Sequence, residues 1–160
     1  MTPIEIADAA GFRAAVLACT DAATARGART LLFASPDFAG WPLDEPALLD
    51  ALTAWLRRPG RRLVLLGERF DRMEREHARF TQWRPAWSHA VDVREPEPAP
   101  REGLETLVLD DGPVVLALVH ADPPRGRAGA DPVAAAAARE RIDAPLQRSV
   151  PTWPVRPLGL

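Results

Sequence analysis

The sequence predicts an α/β fold, a mixed sheet of about five strands with helices on both faces and one C-terminal hairpin. Three observations predict it. Residues 29–35 and 61–66 are short, nearly continuous apolar runs, as expected for strands covered on both sides. Between them lies a stretch of helical period, and strand–helix–strand with short connections is a βαβ unit with a right-handed crossover. Further along, Asp111-Gly112 separates two more apolar runs, which is a hairpin signal.

The elements follow in order. Asp8 is a suitable N-cap for a first helix over residues 9–26, where Phe12, Val16, Cys19 and Ala23 share one face and Gly27 suits the stop. The strand at 29–35 ends in Ser35-Pro36-Asp37, and Gly40 and Pro42 shape the loop. Asp44 can cap the next helix, with Pro46 in its first turn and Leu48, Leu52 and Trp55 as its buried stripe. Arg57 and Arg58 close it at the negative end of the helix dipole. Pro59-Gly60 turns the chain into the strand at 61–66.

A helix is predicted over residues 68–82, with Phe70, Met73, His77 and Phe80 on one face. Glu68 with Arg72 and Asp71 with Arg75 are its i,i+4 ion pairs. Trp83, Pro85 and Trp87 end it in an aromatic knot, and residues 89–94 alternate as a strand. Residues 95–103, EPEPAPREG, read as a surface connector. Residues 104–110 and 114–119 are the hairpin strands, residues 121–131 a mobile loop, and residues 132–146 an alanine-rich helix capped by Asp131. The tail, residues 150–160, is expected to lie extended over the domain, pinned by Trp153, or to hang free. No second domain or internal repeat is evident, so residues 1–160 are read as one domain.

Composition excludes much chemistry. All 20 basic residues are arginine, and the chain has no lysine, tyrosine or asparagine. Coding bias explains this most simply, but it removes lysine bases, Schiff bases, phosphate-loop lysines and phenolic acids. The single cysteine excludes disulfides within the chain and cysteine-rich zinc sites. On its apolar helix face Cys19 reads as a core residue. A net charge of −2 gives no case for a nucleic-acid or membrane surface. No apolar run approaches the ~20 residues of a membrane span, and no signal peptide is evident. The expectation is a cytoplasmic protein with no cofactor and no metal.

The loop after the first predicted strand is where a βα unit usually binds ligands. Ser35, Asp37, Phe38, Trp41 and Asp44 are therefore the ligand-binding candidates, with turn formation, loop solvation, capping and core packing as their structural roles. The histidines His77, His89 and His120 show no metal-ligand spacing. His89 and His120, at strand ends, are the candidates to join Ser35 and Asp37 in an enzyme. Arg57, Arg58, Arg61 and Arg62 bracket a tight turn that could grip a phosphate or be a solvated cap.

The order of elements resembles one half of the phospholipase-D-like fold. The resemblance rests on residues 9–119: a helix, a strand ending in Ala34-Ser35-Pro36-Asp37-Phe38, a leucine- and alanine-rich helix, a basic-flanked strand and a hairpin carrying an Asp. The catalytic signature of that family is His-x-Lys-x-x-x-x-Asp. With Asp110 as its Asp, the His and Lys positions hold Gly103 and Glu105; with Asp111 they hold Leu104 and Thr106. The resemblance thus implies a half-domain lacking the histidine that would form a phospho-intermediate and the lysine beside it.

The leading functional expectation is a non-catalytic binding or regulatory module for an unknown small ligand or protein. Such halves usually pair, so a homodimer is expected, with the hairpin as the edge to cover. The alternatives are a hydrolase or phosphoesterase at the loop carrying Ser35, and an adaptor that binds a partner through its Trp/Pro-rich tail.

Overall fold

A computed structural model describes residues 1–155. Its centre is the parallel set β2 (Thr30–Ser35), β3 (Arg62–Gly67) and β4 (Val91–Pro96), in register Leu31 beside Leu63 and Leu63 beside Val91. β5 (Leu107–Asp110) runs antiparallel to β2 and pairs with β6 (Val114–Ala121). Beyond them come β7 (Pro124–Ala130) and, at one edge, β1 (Ile4–Ile6). β8 (Ser149–Pro151) closes the other edge on β4. The sheet therefore has eight strands in the order β1-β7-β6-β5-β2-β3-β4-β8, not about five.

Each of the three unexpected strands is explained by its partner. β1 and β8 span three residues each, too short to show a period. β7 reads PRGRAGA, which lacks strand propensity, yet β6 gives it a full antiparallel ladder. Gly126 is required there, because a Cβ would be built into the Ala117 carbonyl oxygen of β6. The predicted mobile loop at 121–131 is thus mostly strand. The predicted hairpin is the start of a three-strand meander, and its outer edge is covered by β7, so it offers no open edge for a second copy to pair with.

Strand alternation sorts the core into two layers. Leu31, Phe33, Leu63 and Leu65 point to one face. There they meet α1 (Ala9–Ala25), with Phe12, Val16, Cys19 and Ala23, and α2 (Pro46–Leu56), with Leu48, Leu52 and Trp55. Ala34, Leu66, Leu107 and Leu109 point to the other face, against Ala135, Ala138 and Ile142 of α5 (Pro132–Gln147). Both long helices begin as expected: Asp8 accepts from the Gly11 amide at 2.6 Å, and Asp131 from the Val133 and Ala134 amides.

The predicted helix over 68–82 is broken into α3 (Met73–Glu76) and α4 (Ala78–Trp83), followed by a 3-10 turn, Arg84–Trp87. The amides of Glu68 and Arg69 donate to the Pro36 carbonyl, which holds the chain in a turn before α3. His77 (φ −128°, ψ 54°) breaks the helix between the two pieces. The expected pairs do not form: Glu68 accepts from the Leu104 amide, while Arg72 lies 3.5 Å from Glu76 and 4.0 Å from Asp37. The tail does lie along the domain through β8 and Trp153; residues 156–160 of it lie outside the described residues.

Candidate binding site at the strand ends

β2 and β3 end side by side at Ser35 and Gly67. The loop after β2 is fastened from within. The Ser35 hydroxyl oxygen accepts the Phe38 amide at 3.0 Å, and the Asp37 carboxylate accepts the Ala39 amide at 3.0 Å. Phe38 sits in the left-handed region at φ 59°, which costs a non-glycine residue about 1–2 kcal/mol. Its fully buried ring offsets that cost, packed against Trp41 at 5.1 Å and Phe70 at 5.7 Å between centroids. Gly67 allows the closure: a Cβ there would lie 2.8 Å from the Phe70 ring and 2.9 Å from the Phe38 ring.

His77 completes this assembly. Its Nε2–H donates to the Phe38 carbonyl at 2.8 Å, so Phe38 is held by Ser35 at its amide and by His77 at its carbonyl. The carbonyl can only accept, so Nε2 carries a proton; Nδ1 is buried without a partner among the described residues. Such a group costs roughly 1–3 kcal/mol. Asp44 does not cap α2, whose N-cap is Glu45. Its carboxylate accepts the Arg79 amide at 2.8 Å, in the first turn of α4. Trp41 is 3% exposed and packs on Phe12, Phe33 and Phe38. All five sequence candidates are therefore gathered at one end of the sheet, and all five hold the loop in shape.

Two hollows adjoin this loop: one of about 280 Å³, whose lining includes the candidates Trp41 and Asp44 with His77, and a second one beside Phe70. Phe70, Asp71, Glu74, Glu95, Thr152 and Trp153 line the second, of about 380 Å³. Trp153 stacks on Phe70 (6.0 Å, 10°) and on Phe80 (6.3 Å, 15°), and the Arg84 guanidinium lies 4.4 Å from its ring centroid. Arg84 is 7% exposed and donates to the Trp153 carbonyl. Burial pulls its guanidinium below the ordinary value, with Asp92 opposing. The indole face and a carbonyl, rather than a carboxylate, hold this cation. Trp153 was legible as an anchor, but Arg84 stands inside the Trp83–Trp87 aromatic knot, and nothing local in the sequence pairs it with Trp153.

The sheet register separates the histidines from Ser35. His89 precedes β4 at the opposite end of the sheet, about six residues of rise away, or roughly 20 Å. His120 is exposed near the end of β6, two strand spacings from β2, so at least ~9.5 Å away laterally. A serine–base hydrogen bond, even through one water, cannot span the separation from His89, and among the described residues His120 makes no hydrogen bond to Ser35, whose hydroxyl is held by the Phe38 amide.

The hairpin positions are also defined. Residues 103–106 lead into β5 at the same end as Ser35, since Leu107 pairs with Ala34. Gly103 has φ 81°, Leu104 is in the α5-side core, Glu105 is bound at 3.0 Å by the Arg141 guanidinium and Thr106 is 8% exposed. Asp110 and Asp111 lie at the far end of β5, where they build a turn. Asp110 accepts the Gly112 and Val114 amides at 2.8 and 3.0 Å and the Arg26 guanidinium at 2.9 Å. Asp111 accepts the Arg29 amide and Arg26; burial pushes its carboxyl up, and these two donors more than offset that, leaving it below the ordinary value. Among the described residues no group of three or more His, Cys, Asp and Glu is placed to hold a metal ion.

Solved structures share this arrangement. TrmBL2, an archaeal chromatin protein whose structure shows a novel mode of DNA binding, matches with a TM-score of 0.61 at 11% identity, over 95% of this chain and 54% of that one. Nuc from Salmonella typhimurium, a phospholipase D family member, matches with a TM-score of 0.60 at 14% identity, over 89% of this chain and 91% of that one. Phosphatidylserine synthase from Haemophilus influenzae Rd KW20 gives 0.56 at 12% identity, over 94% of this chain and 39% of that one. The chain has the phospholipase-D-like fold. It spans about half of the TrmBL2 chain and about two fifths of the synthase. No protein-family model matches the sequence, and no curated protein matches it. No helix among the described residues is long and apolar enough to cross a membrane.

Proposed function

We propose that this chain is a non-catalytic binding module built on the phospholipase-D-like fold. One observation carries the reading. The segment leading into β5, where the resemblance would put a histidine and a lysine, holds Gly103 and Glu105 or Leu104 and Thr106. Glu105 is taken up by Arg141, Leu104 and Thr106 are buried, and no lysine exists elsewhere in the chain to substitute.

The hydrolase reading needs a base beside Ser35. Ser35 is 3% exposed with its hydroxyl committed to the Phe38 amide, and His77, the histidine of this assembly, is committed to the Phe38 carbonyl. His89 lies at the opposite end of the sheet, and among the described residues His120 makes no hydrogen bond to Ser35. That the fold also occurs in TrmBL2, a DNA-binding chromatin protein, supports its use for binding.

The test is hydrolysis of bis(p-nitrophenyl) phosphate, a generic phosphodiester. Release of nitrophenolate at the buffer rate is the expected result. Release that scales with protein concentration and is lost in Ser35→Ala overturns the proposal.

A further inference from the structure

At the end of the sheet opposite Ser35, the turn after α2 faces the turn into β4 across a hollow of about 670 Å³. Arg57, Arg58, Arg61, Arg62, Trp87 and His89 are among its lining residues. The four arginines are not equivalent. Arg61 donates to the Ala28 carbonyl at 2.6 Å, and Arg62 lies 3.5 Å from Asp92. Arg57 and Arg58 are exposed and meet no carboxylate within 4.0 Å among the described residues. Asp92 is already shared by Arg62 and Arg94. The α2 dipole favours cations at this position, but its partial charge of about −0.5 leaves most of two full charges uncompensated.

The other wall is aromatic. Trp87 is half-buried, with its ring 6.0 Å from His89 at 33° and 6.4 Å from Trp83. Trp83 and Trp55 donate their indole N–H groups to Thr53 and the Ala28 carbonyl; among the described residues Trp87 has no such acceptor. Two free guanidinium groups beside an accessible indole and imidazole form a composite surface: one part suits a phosphate, the other a flat π system.

We infer that this hollow binds a nucleotide unit, with its phosphate between Arg57 and Arg58 and its base on Trp87 and His89. Two sources supply such a unit, a free nucleotide and a single-stranded nucleic acid. Duplex keeps its bases stacked and cannot present one to Trp87. The inference deepens the binding-module reading by naming a ligand class, and the two fail separately. Loss of binding overturns this site, whereas cleavage of a bound strand overturns the module reading.

The test uses the full chain at low salt with two probes: adenosine monophosphate, followed by tryptophan fluorescence, and a fluorescein-labelled single-stranded oligodeoxyadenylate, followed by anisotropy. Arg57→Gln with Arg58→Gln lowers affinity for both probes by about tenfold, and Trp87→Leu by about fivefold. Arg69→Gln with Arg75→Gln, an equal charge change on two exposed residues near the other end, changes it by less than about twofold. Tighter binding of the oligonucleotide identifies a strand as the source, and tighter binding of the monophosphate identifies a free nucleotide. Arg57 and Arg58 are exposed, so their variants fold, which circular dichroism checks. No binding of either probe up to about 1 mM overturns the inference, as does native-like binding by the double arginine variant.

Discussion

Asp110→Ala destabilises the protein by about 3–4 kcal/mol, because Asp110 is a turn anchor. Its side chain is fully buried and accepts two backbone amides, Gly112 and Val114, on Oδ1, with Arg26 on Oδ2. Each amide bond to a carboxylate is worth about 1.5 kcal/mol, and alanine leaves the buried Val114 donor unpaired. The Arg26 contact adds about 0.5 kcal/mol, since that side chain is 40% exposed and screened. Asp110→Asn keeps an acceptor at Oδ1 but sets an NH2 donor where Oδ2 accepted Arg26, so it loses that exposed contact and the charge and costs about 1 kcal/mol. With a urea slope near 2 kcal/mol per molar, tryptophan fluorescence should place the alanine midpoint about 1.5–2 M below native and the asparagine midpoint about 0.5 M below. An alanine variant within ~1 kcal/mol of native refutes the anchoring argument, as does an asparagine variant equal to it.

Three other outcomes follow from the structure. Gly126→Ala drives a Cβ into the Ala117 carbonyl, so it should break the β6–β7 ladder and speed amide hydrogen exchange in 114–130; native exchange there means that β7 is not paired as described. Burial, with Asp110 adding, pushes the Cys19 thiol up to about 12, so Ellman's reagent at pH 8 should label native protein only as fast as it unfolds; prompt labelling places the thiol at the surface. Asp111 is held below its ordinary value of 3.8, so its contribution to stability is complete above that pH and is lost as pH falls through the lower folded value. Native protein should therefore be more stable than Asp111→Asn at pH 6 and lose that advantage below about pH 3.8, which urea midpoints at several pH values measure; a constant difference removes Asp111 from the acid response.

What was legible in the sequence was local or strongly periodic. Asp8 and Asp131 cap their helices because a carboxylate just before an apolar helical stretch has amides to receive. β2, α2 and β3 were legible from apolar runs and a punctuating Pro59-Gly60. β7 was not, because nothing in PRGRAGA favours a strand until β6 supplies its partner. The helix at 68–82 carried the right buried face, with Met73, His77 and Phe80 all buried, yet the chain breaks at His77. What breaks it is the bond from His77 to Phe38, a tertiary contact spanning 39 residues that no local pattern contains. The candidate loop was located correctly in the fold, but its residues spend their polar groups on one another. Asp44 illustrates the limit: its capping role is real, but for Arg79 of a helix far along the chain. The charge at the other end shows the same limit, since four adjacent arginines look alike until Ala28 and Asp92 claim two of them.

On this reading the protein binds without turnover. The most direct test is prolonged incubation of the protein with the labelled single-stranded oligonucleotide and, separately, with bis(p-nitrophenyl) phosphate, each resolved for products. An intact strand and no nitrophenolate above the buffer rate are the expected results. Products that grow in proportion to protein and vanish in Ser35→Ala would contradict that reading.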